Sequence, residues 1–189
     1  TPTLVDVTKG RFVPYMGITY DLNANNSFYL NYSSVFKYNA NVGADGKPLP
    51  ATVGSNYELG WKSVWHDGRL NTAVALFRVD QDNTAVNSRQ RLNDGTRRFY
   101  WVPLTMRSQG LDAEISGDIT PSLKLFAGYT YNKREYTGSA GNIVRGEDFN
   151  KQTPRHMLRA YGNYRLPGEA HAWTLGAGVR TQSSTSSGW

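Results

Sequence analysis

The side chains able to do chemistry are sparse and poorly arranged for catalysis. His66, His156 and His171 stand far apart, with no pairing at the spacing metal ligands need. They read as strand-end or turn residues. Asp80-Gln81-Asp82-Asn83 has acidic spacing that suggests calcium, but lacks the glycine and the distant glutamate of a calcium loop. The run Ser183-Ser184-Thr185-Ser186-Ser187 has no neighbouring base to activate a hydroxyl. No catalytic set emerges, so no enzyme is expected, and neither a metal site nor a cofactor. The strongest recognition chemistry lies within residues 81–108. There Arg89, Arg91, Arg97 and Arg98 accompany Phe99, Tyr100 and Trp101, with Tyr38 earlier in the chain. Guanidinium groups take anionic oxygens through charge-assisted hydrogen bonds. Aromatic side chains wall concave sites and exclude water. Such a set captures a compact polar ligand; nothing in it converts one.

The elements that hold these residues come next. The chain has 189 residues, 39% hydrophobic and 13% aromatic, with 12 Tyr and 5 Trp. No apolar run of about 18 residues exists, which removes a transmembrane helix. It does not remove membrane strands, which are apolar on one face only. There is no cysteine, so neither a disulfide framework nor a thiolate metal site is possible. Lys and Arg exceed Asp and Glu by 21 − 15 = 6, but the basic residues are scattered, apart from Arg97-Arg98 and Lys133-Arg134. No basic helix or RNA-binding segment is visible, so nucleic acid is not expected as a partner.

Alternation with period two runs through the chain. Tyr57, Leu59, Trp61, Ser63 and Trp65 oppose Glu58, Gly60 and Lys62. Leu111, Ala113 and Ile115 oppose Asp112, Glu114 and Ser116. Leu123, Leu125, Ala127, Tyr129 and Tyr131 oppose Lys124, Gly128, Thr130 and Asn132. Trp173, Leu175, Ala177 and Val179 oppose Thr174, Gly176, Gly178 and Arg180. Weaker strands are expected over residues 12–21, 27–36, 69–80 and 155–166. In 69–80 both faces are apolar. The expectation is that Ala73, Ala75, Phe77 and Val79 face outward, sending Arg78 and Asp80 inward. Connections alternate between short (22–26, 66–68, 120–122, 167–171) and long (37–56, 81–108, 133–154). Asp67-Gly68 is a hairpin signal. Membrane barrels place short turns at the periplasm and long loops outside. Strands of near ten residues fit a bilayer, and aromatics at strand ends fit the interfacial girdles of such barrels. The fold class is therefore all-β: an antiparallel transmembrane β-barrel, with about eight strands present.

Specific runs carry a family resemblance. Val13-Pro14-Tyr15-Met16-Gly17-Ile18-Thr19-Tyr20-Asp21-Leu22-Asn23 is one and Tyr29-Leu30-Asn31-Tyr32-Ser33-Ser34-Val35-Phe36 another. Asp45-Gly46-Lys47-Pro48-Leu49 with Gly54-Ser55-Asn56-Tyr57-Glu58-Leu59-Gly60-Trp61-Lys62 is a third. Asp67-Gly68-Arg69-Leu70-Asn71 followed by residues 75–83, then 108–117, 126–131, 153–156 and 164–168, complete the series. In order and over nearly the whole chain, they resemble the barrel of TonB-dependent outer-membrane receptors for ferric siderophores, closest to hydroxamate, coprogen and pyoverdine types. Gln109 and Asp112 depart from the family's usual Arg or Lys and Glu.

The resemblance implies a plugged barrel of about 22 strands, of which residues 1–189 would be a segment, roughly strands 12 to 19, without the plug or the last strands. It implies bacterial outer-membrane localisation. Uptake of ferric siderophores would be driven by the TonB complex through the plug. Iron would be cargo only, and membrane lipid or lipopolysaccharide a further partner. Ligand contacts would fall on the long outer connections, at Tyr38, Arg89, Arg91, Arg97, Arg98, Tyr100 and Trp101. The competing readings of that stretch are lipopolysaccharide phosphates for the arginines and an upper girdle for Tyr100-Trp101. For the whole chain, the alternatives are a small self-contained barrel acting as a passive channel and a soluble sugar-binding sandwich. Inward Gly60, Gly128, Gly176 and Gly178 would leave a narrow closed barrel badly filled.

Overall fold

A computed structural model describes residues 11–91 and 99–186 of the chain. They form one antiparallel sheet of eight strands in chain order. The strands are β1 (Tyr15–Asn23), β2 (Asn26–Lys37), β3 (Thr52–Trp65), β4 (Leu70–Arg91), β5 (Phe99–Thr120), β6 (Leu123–Tyr136), β7 (His156–Arg165) and β8 (Thr174–Gln182). A single 3-10 turn, Gly168–Ala172, joins β7 to β8. The β1–β2, β3–β4 and β5–β6 connections are short and the β2–β3 and β6–β7 connections long, as expected, but most of the expected long connection over 81–108 is strand. At the β3–β4 turn, Asp67 (φ 54) and Gly68 (φ 89) both take the left-handed region, and the Arg69 N–H donates to the His66 carbonyl at 3.3 Å. That is the geometry an Asp-Gly pair favours at a tight hairpin.

Register decides which side chains share a face, because directly paired residues point the same way. Leu30 pairs Leu59, Leu59 pairs Leu76, Leu76 pairs Leu111, and Leu111 pairs Tyr131. The adjacent row runs Phe28, Trp61, Val74, Ala113, Tyr129, Leu158. Ile18 in β1 and Leu175 and Val179 in β8 continue this apolar face to both edges. Its side chains stay bare: Ile18 is 67% exposed, Leu59 51% and Val179 59%. An uninterrupted apolar face of that extent requires an apolar surrounding. Tyr32 and Tyr57, with rings 5.2 Å apart, edge the band at one end, and Trp65 and Tyr164 lie toward the other.

The opposite face is polar. Glu58, Lys62, Asp112, Glu114, Lys124 and Arg180 lie on it, as the alternation predicts. β4 departs from expectation. Ala73 pairs Lys62, Ala75 pairs Gly60, and Phe77 pairs Glu58. The Ala/Phe row is therefore on the polar face, and Thr72, Val74, Leu76 and Arg78 are on the apolar one. With both faces of β4 apolar, its own pattern was ambiguous; the patterns of β3 and β5 settle it. Gly60 and Gly178 on the polar face are not voids, whereas Gly128 is open. Tyr29 lies over Gly60, where an added Cβ would meet its ring at 2.2 Å, and Tyr161 covers Gly178, where the distance is 3.0 Å.

A larger difference concerns residues 81–108. Residues 81–91 and 99–108 are strand, not loop: β4 and β5 each run for 22 residues. At about 3.3 Å per residue, the paired hairpin from Arg107 to Phe99 extends roughly 25 Å along the strands beyond the apolar band. The pairing continues past a bulge between Gln81 and Thr84. Asn83 (φ 57) occupies that bulge, and its carbonyl accepts from Thr52 Oγ1 at 3.0 Å and from Asn39 Nδ2 at 3.3 Å. So Asp80-Gln81-Asp82-Asn83 is a bulge within a strand and not a junction with a loop. Pro103 is tolerated because it lies above the last β5–β6 pair, Met106 with Tyr136, where β5 has a strand on one side only.

The buried apolar cluster among the described residues lies in this extension. Leu104, Tyr136 and Ile143 form it, with Val86, Val102, Met106, Ala140 and Phe149 packed around them. It binds the β6–β7 connection onto one face of the hairpin.

Candidate functional site: the outer vestibule

Two connections meet at the outer end of the sheet, each tied to the long hairpin. On one side, the Trp101 N–H donates to the Val42 carbonyl at 3.1 Å, which attaches the β2–β3 connection. On the other, Gln90 Nε2 donates to Asn142 Oδ1 at 3.3 Å, the Arg89 guanidinium reaches Glu147 at 3.8 Å, and the Thr137 N–H donates to the Thr105 carbonyl at 2.9 Å. Alternation places Tyr100 on the face of Val102 and Leu104, under the β6–β7 connection, and Phe99 and Trp101 on the reverse.

The expected recognition residues are thus partly assembled. The Tyr100 hydroxyl donates to Gln90 Oε1. The Arg91 guanidinium stands 5.3 Å from the Phe99 ring centroid, a cation–π contact. Arg89 takes a left-handed φ of 59°, its N–H held by Asn87 Oδ1 at 2.8 Å, and its side chain is 61% exposed. Trp101 pairs with Asn87, far above the apolar band, so the girdle reading of Tyr100-Trp101 is overturned. Tyr38 is exposed at the start of the β2–β3 connection. Arg97 and Arg98 lie outside the described residues.

Just above the apolar band, on that same side of the sheet, Asp80 accepts from Arg107 Nε at 2.6 Å and from Arg78 Nε at 2.7 Å. Burial works to raise its carboxyl pKa, but the two guanidinium hydrogen bonds outweigh it and hold the group below its ordinary value. Lys133 and Glu135 extend the row, 2.7 Å apart. Arg78 and Asp80 were expected on the polar face; register puts them on the other.

The polar face carries its own feature. Glu58, Asp112 and Glu114, with Arg159, line a recess of about 660 Å³ floored by Ala73, Ala75 and Gly128. Among the described residues, none of these three carboxylates forms an ion pair, and no group of three His, Cys, Asp or Glu residues is placed to hold a metal ion.

A bare apolar face flanked by aromatics, a polar face with unpaired charges, and short turns at one end opposite long tied connections define the wall of a membrane barrel. The family model for the β-barrel of TonB-dependent receptor-like proteins matches residues 2–189. The chain belongs to that family, whose barrels stand in the outer membrane. It is 37% identical over 180 residues to the ferric-pyoverdine 358 receptor of Pseudomonas putida, covering 95% of this chain and 21% of that protein. It is 32% identical over 185 residues to the ferripyoverdine receptor of Pseudomonas aeruginosa, covering 94% and 22%. The solved structure of the Pseudomonas aeruginosa outer-membrane ferripyoverdine receptor, bound to ferripyoverdine, superposes with a TM-score of 0.80 at 30% identity, over 93% of this chain and 23% of that one. The alcaligin outer-membrane receptor of Bordetella pertussis gives 0.72 at 33% identity, over 93% and 30%. The chain thus spans about a fifth of the length of the curated relatives it matches.

Proposed function

We propose that this segment is the wall and outer vestibule of an importer that takes ferric siderophores across the outer membrane, with TonB supplying the work. The superposition at a TM-score of 0.80 on a receptor bound to ferripyoverdine carries this reading. The passive-channel alternative has no support in the relatives.

On this reading each part has a task. The apolar face meets lipid. The polar face meets a plug through Glu58, Asp112, Glu114, Arg159 and Arg180. The risen β4–β5 hairpin, with Arg89, Arg91, Arg97, Arg98, Tyr100 and Trp101, and Tyr38 beside it, meets the iron chelate. Guanidinium groups bind the chelate's oxygens, and the aromatic rings cover its flat rim. Iron passes as cargo, coordinated by the chelator. The Arg78–Asp80–Arg107 row faces the outer-leaflet headgroups, where lipopolysaccharide phosphates are the natural counter-charge. The test is uptake of the cognate iron chelate by cells carrying Tyr100→Ala, Trp101→Ala or Arg97→Ala at normal surface levels. Reduced binding in at least one supports the hairpin as the capture site. Unchanged binding and uptake in all three moves the site elsewhere.

A further inference from the structure

A second outer cavity, about 520 Å³, lies between the β6–β7 connection and the segment after β8. Its walls are pinned by backbone. The Ser186 N–H donates to the Lys151 carbonyl at 3.0 Å, and the Ser183 N–H to the His156 carbonyl at 2.9 Å. Ser183 Oγ accepts from the backbone N–H of Arg155 at 2.9 Å and of His156 at 3.2 Å, leaving its own O–H to donate.

Arg134 lines this cavity with its side chain only 4% exposed. Its Nη2 reaches the Thr153 carbonyl and, at 3.5 Å, Asp148. Among the described residues its Nε and Nη1 have no hydrogen-bond partner. Arg155 reaches the same Asp148 oxygen at 3.4 Å. Lys151 stands 3.5 Å from Glu147, which Arg89 also approaches at 3.8 Å. Four cations therefore share two carboxylates, all at distances beyond a good charge-assisted hydrogen bond, 2.7–2.9 Å or so. A buried guanidinium with unmet donors and one loose counter-ion is under-compensated. Nε and Nη1 are shut off from solvent, so what the cavity receives from Arg134 is uncompensated positive charge at its wall.

We propose that this cavity binds an oxyanion group, a phosphate or a carboxylate, seated between Arg134, Arg155 and Lys151 with the Ser183 hydroxyl donating to it. Guanidinium and ammonium groups supply the charge, and hydroxyls supply the direction. The site is separate from the hairpin tip, and it rests on the barrel reading only for its exposure at the outer surface. Two sources present this chemistry there: phosphorylated saccharide of the outer leaflet, and a carboxylate-bearing iron chelate.

The intact outer-membrane protein containing this chain, purified in detergent, is titrated calorimetrically with inorganic phosphate and with citrate at constant ionic strength. Saturable binding is expected, weakened roughly tenfold by Arg155→Ala or Lys151→Ala, the loss of about one charge-assisted contact each. Those side chains are half exposed, so both variants keep the fold. Arg134→Gln is expected to abolish binding and Arg134→Lys to retain part of it. No saturable heat in the unaltered protein, or equal affinity in Arg155→Ala and Lys151→Ala, overturns the proposal. Tighter binding of a phosphorylated core oligosaccharide than of a ferric carboxylate chelate assigns the site to lipid; the reverse order assigns it to cargo. Iron uptake is read in parallel: lost phosphate binding with intact uptake in the variants confirms the site and leaves the import reading standing.

Discussion

The facing of β4 decides where the membrane meets this chain, and one pair of substitutions tests it. Val74 lies mid-band on the apolar face, paired with Trp61 and Ala113. Ala75, one residue on, lies on the polar face between Gly60 and Asp112, at the edge of the 660 Å³ recess. Val74→Arg places a cation at mid-depth in lipid, which costs about 2–4 kcal/mol in a membrane barrel. That lowers the folded-to-unfolded ratio roughly thirty- to several-hundredfold. Ala75→Arg places the same cation beside the Asp112 carboxylate, with room for the side chain, so its expected cost is about 1 kcal/mol or less. The difference is about 1–3 kcal/mol in a fixed direction. Reversible urea unfolding of the intact protein in bilayers measures it, with heat-modifiable gel mobility reporting the folded fraction. Equal losses, or a greater loss for Ala75→Arg, refute the facing drawn from register and restore the reading in which Ala73, Ala75, Phe77 and Val79 meet lipid.

Three further outcomes follow from the same geometry. Gly60→Ser is expected to lower the folded fraction because the new Cβ would enter the Tyr29 ring at 2.2 Å, whereas Gly128→Ser is tolerated, its Cβ meeting only the Ala113 carbonyl at 3.9 Å; the same gel assay separates them. Asp80 has a lowered pKa, so its ion pairs stabilise the hairpin above the ordinary carboxylate value near 3.8 and lose that contribution as pH falls through the depressed value. Protection of amides across β4 and β5, taken relative to the intrinsic exchange rate at each pH, should therefore fall in acid in the unaltered protein, and Asp80→Asn should flatten that dependence. Ile143→Ala, at a site 1% exposed, removes the centre of the outer cluster at about 2–5 kcal/mol. Proteolysis within residues 137–155 should rise while the membrane band stays folded.

Much of the sheet was legible because each hairpin pairs neighbours in chain order and one face must be apolar. Tyr57 to Trp65 and Leu111 to Ile115 identify their strands and their lipid sides unaided. The extension of β4 and β5 was not legible. Asn83, Asn87, Ser88 and Pro103 are turn-type residues, and the bulge after Gln81 shifts the alternation by one step, so the local pattern reads as loop. Cross-strand pairing and the Leu104–Tyr136–Ile143 cluster override it. β4's facing also escaped local reading, since Val74 and Leu76 compete with Ala73 and Ala75 and only the partner strands break the tie. At the vestibule, the composition of the hairpin tip was readable, but its orientation was not. Arg134 carried no local signal at all: its contacts Asp148 and Thr153 come 14 and 19 residues later, and the cavity's far wall follows β8.

The central claim is that this chain is the wall of a TonB-energised importer of ferric siderophores. The direct measurement is accumulation of a radioiron-labelled pyoverdine-type chelate by cells expressing the intact protein, with and without a functional TonB. The account predicts saturable binding in both strains and accumulation only where TonB works. Accumulation that is unsaturable and independent of TonB would show a passive pore and contradict it.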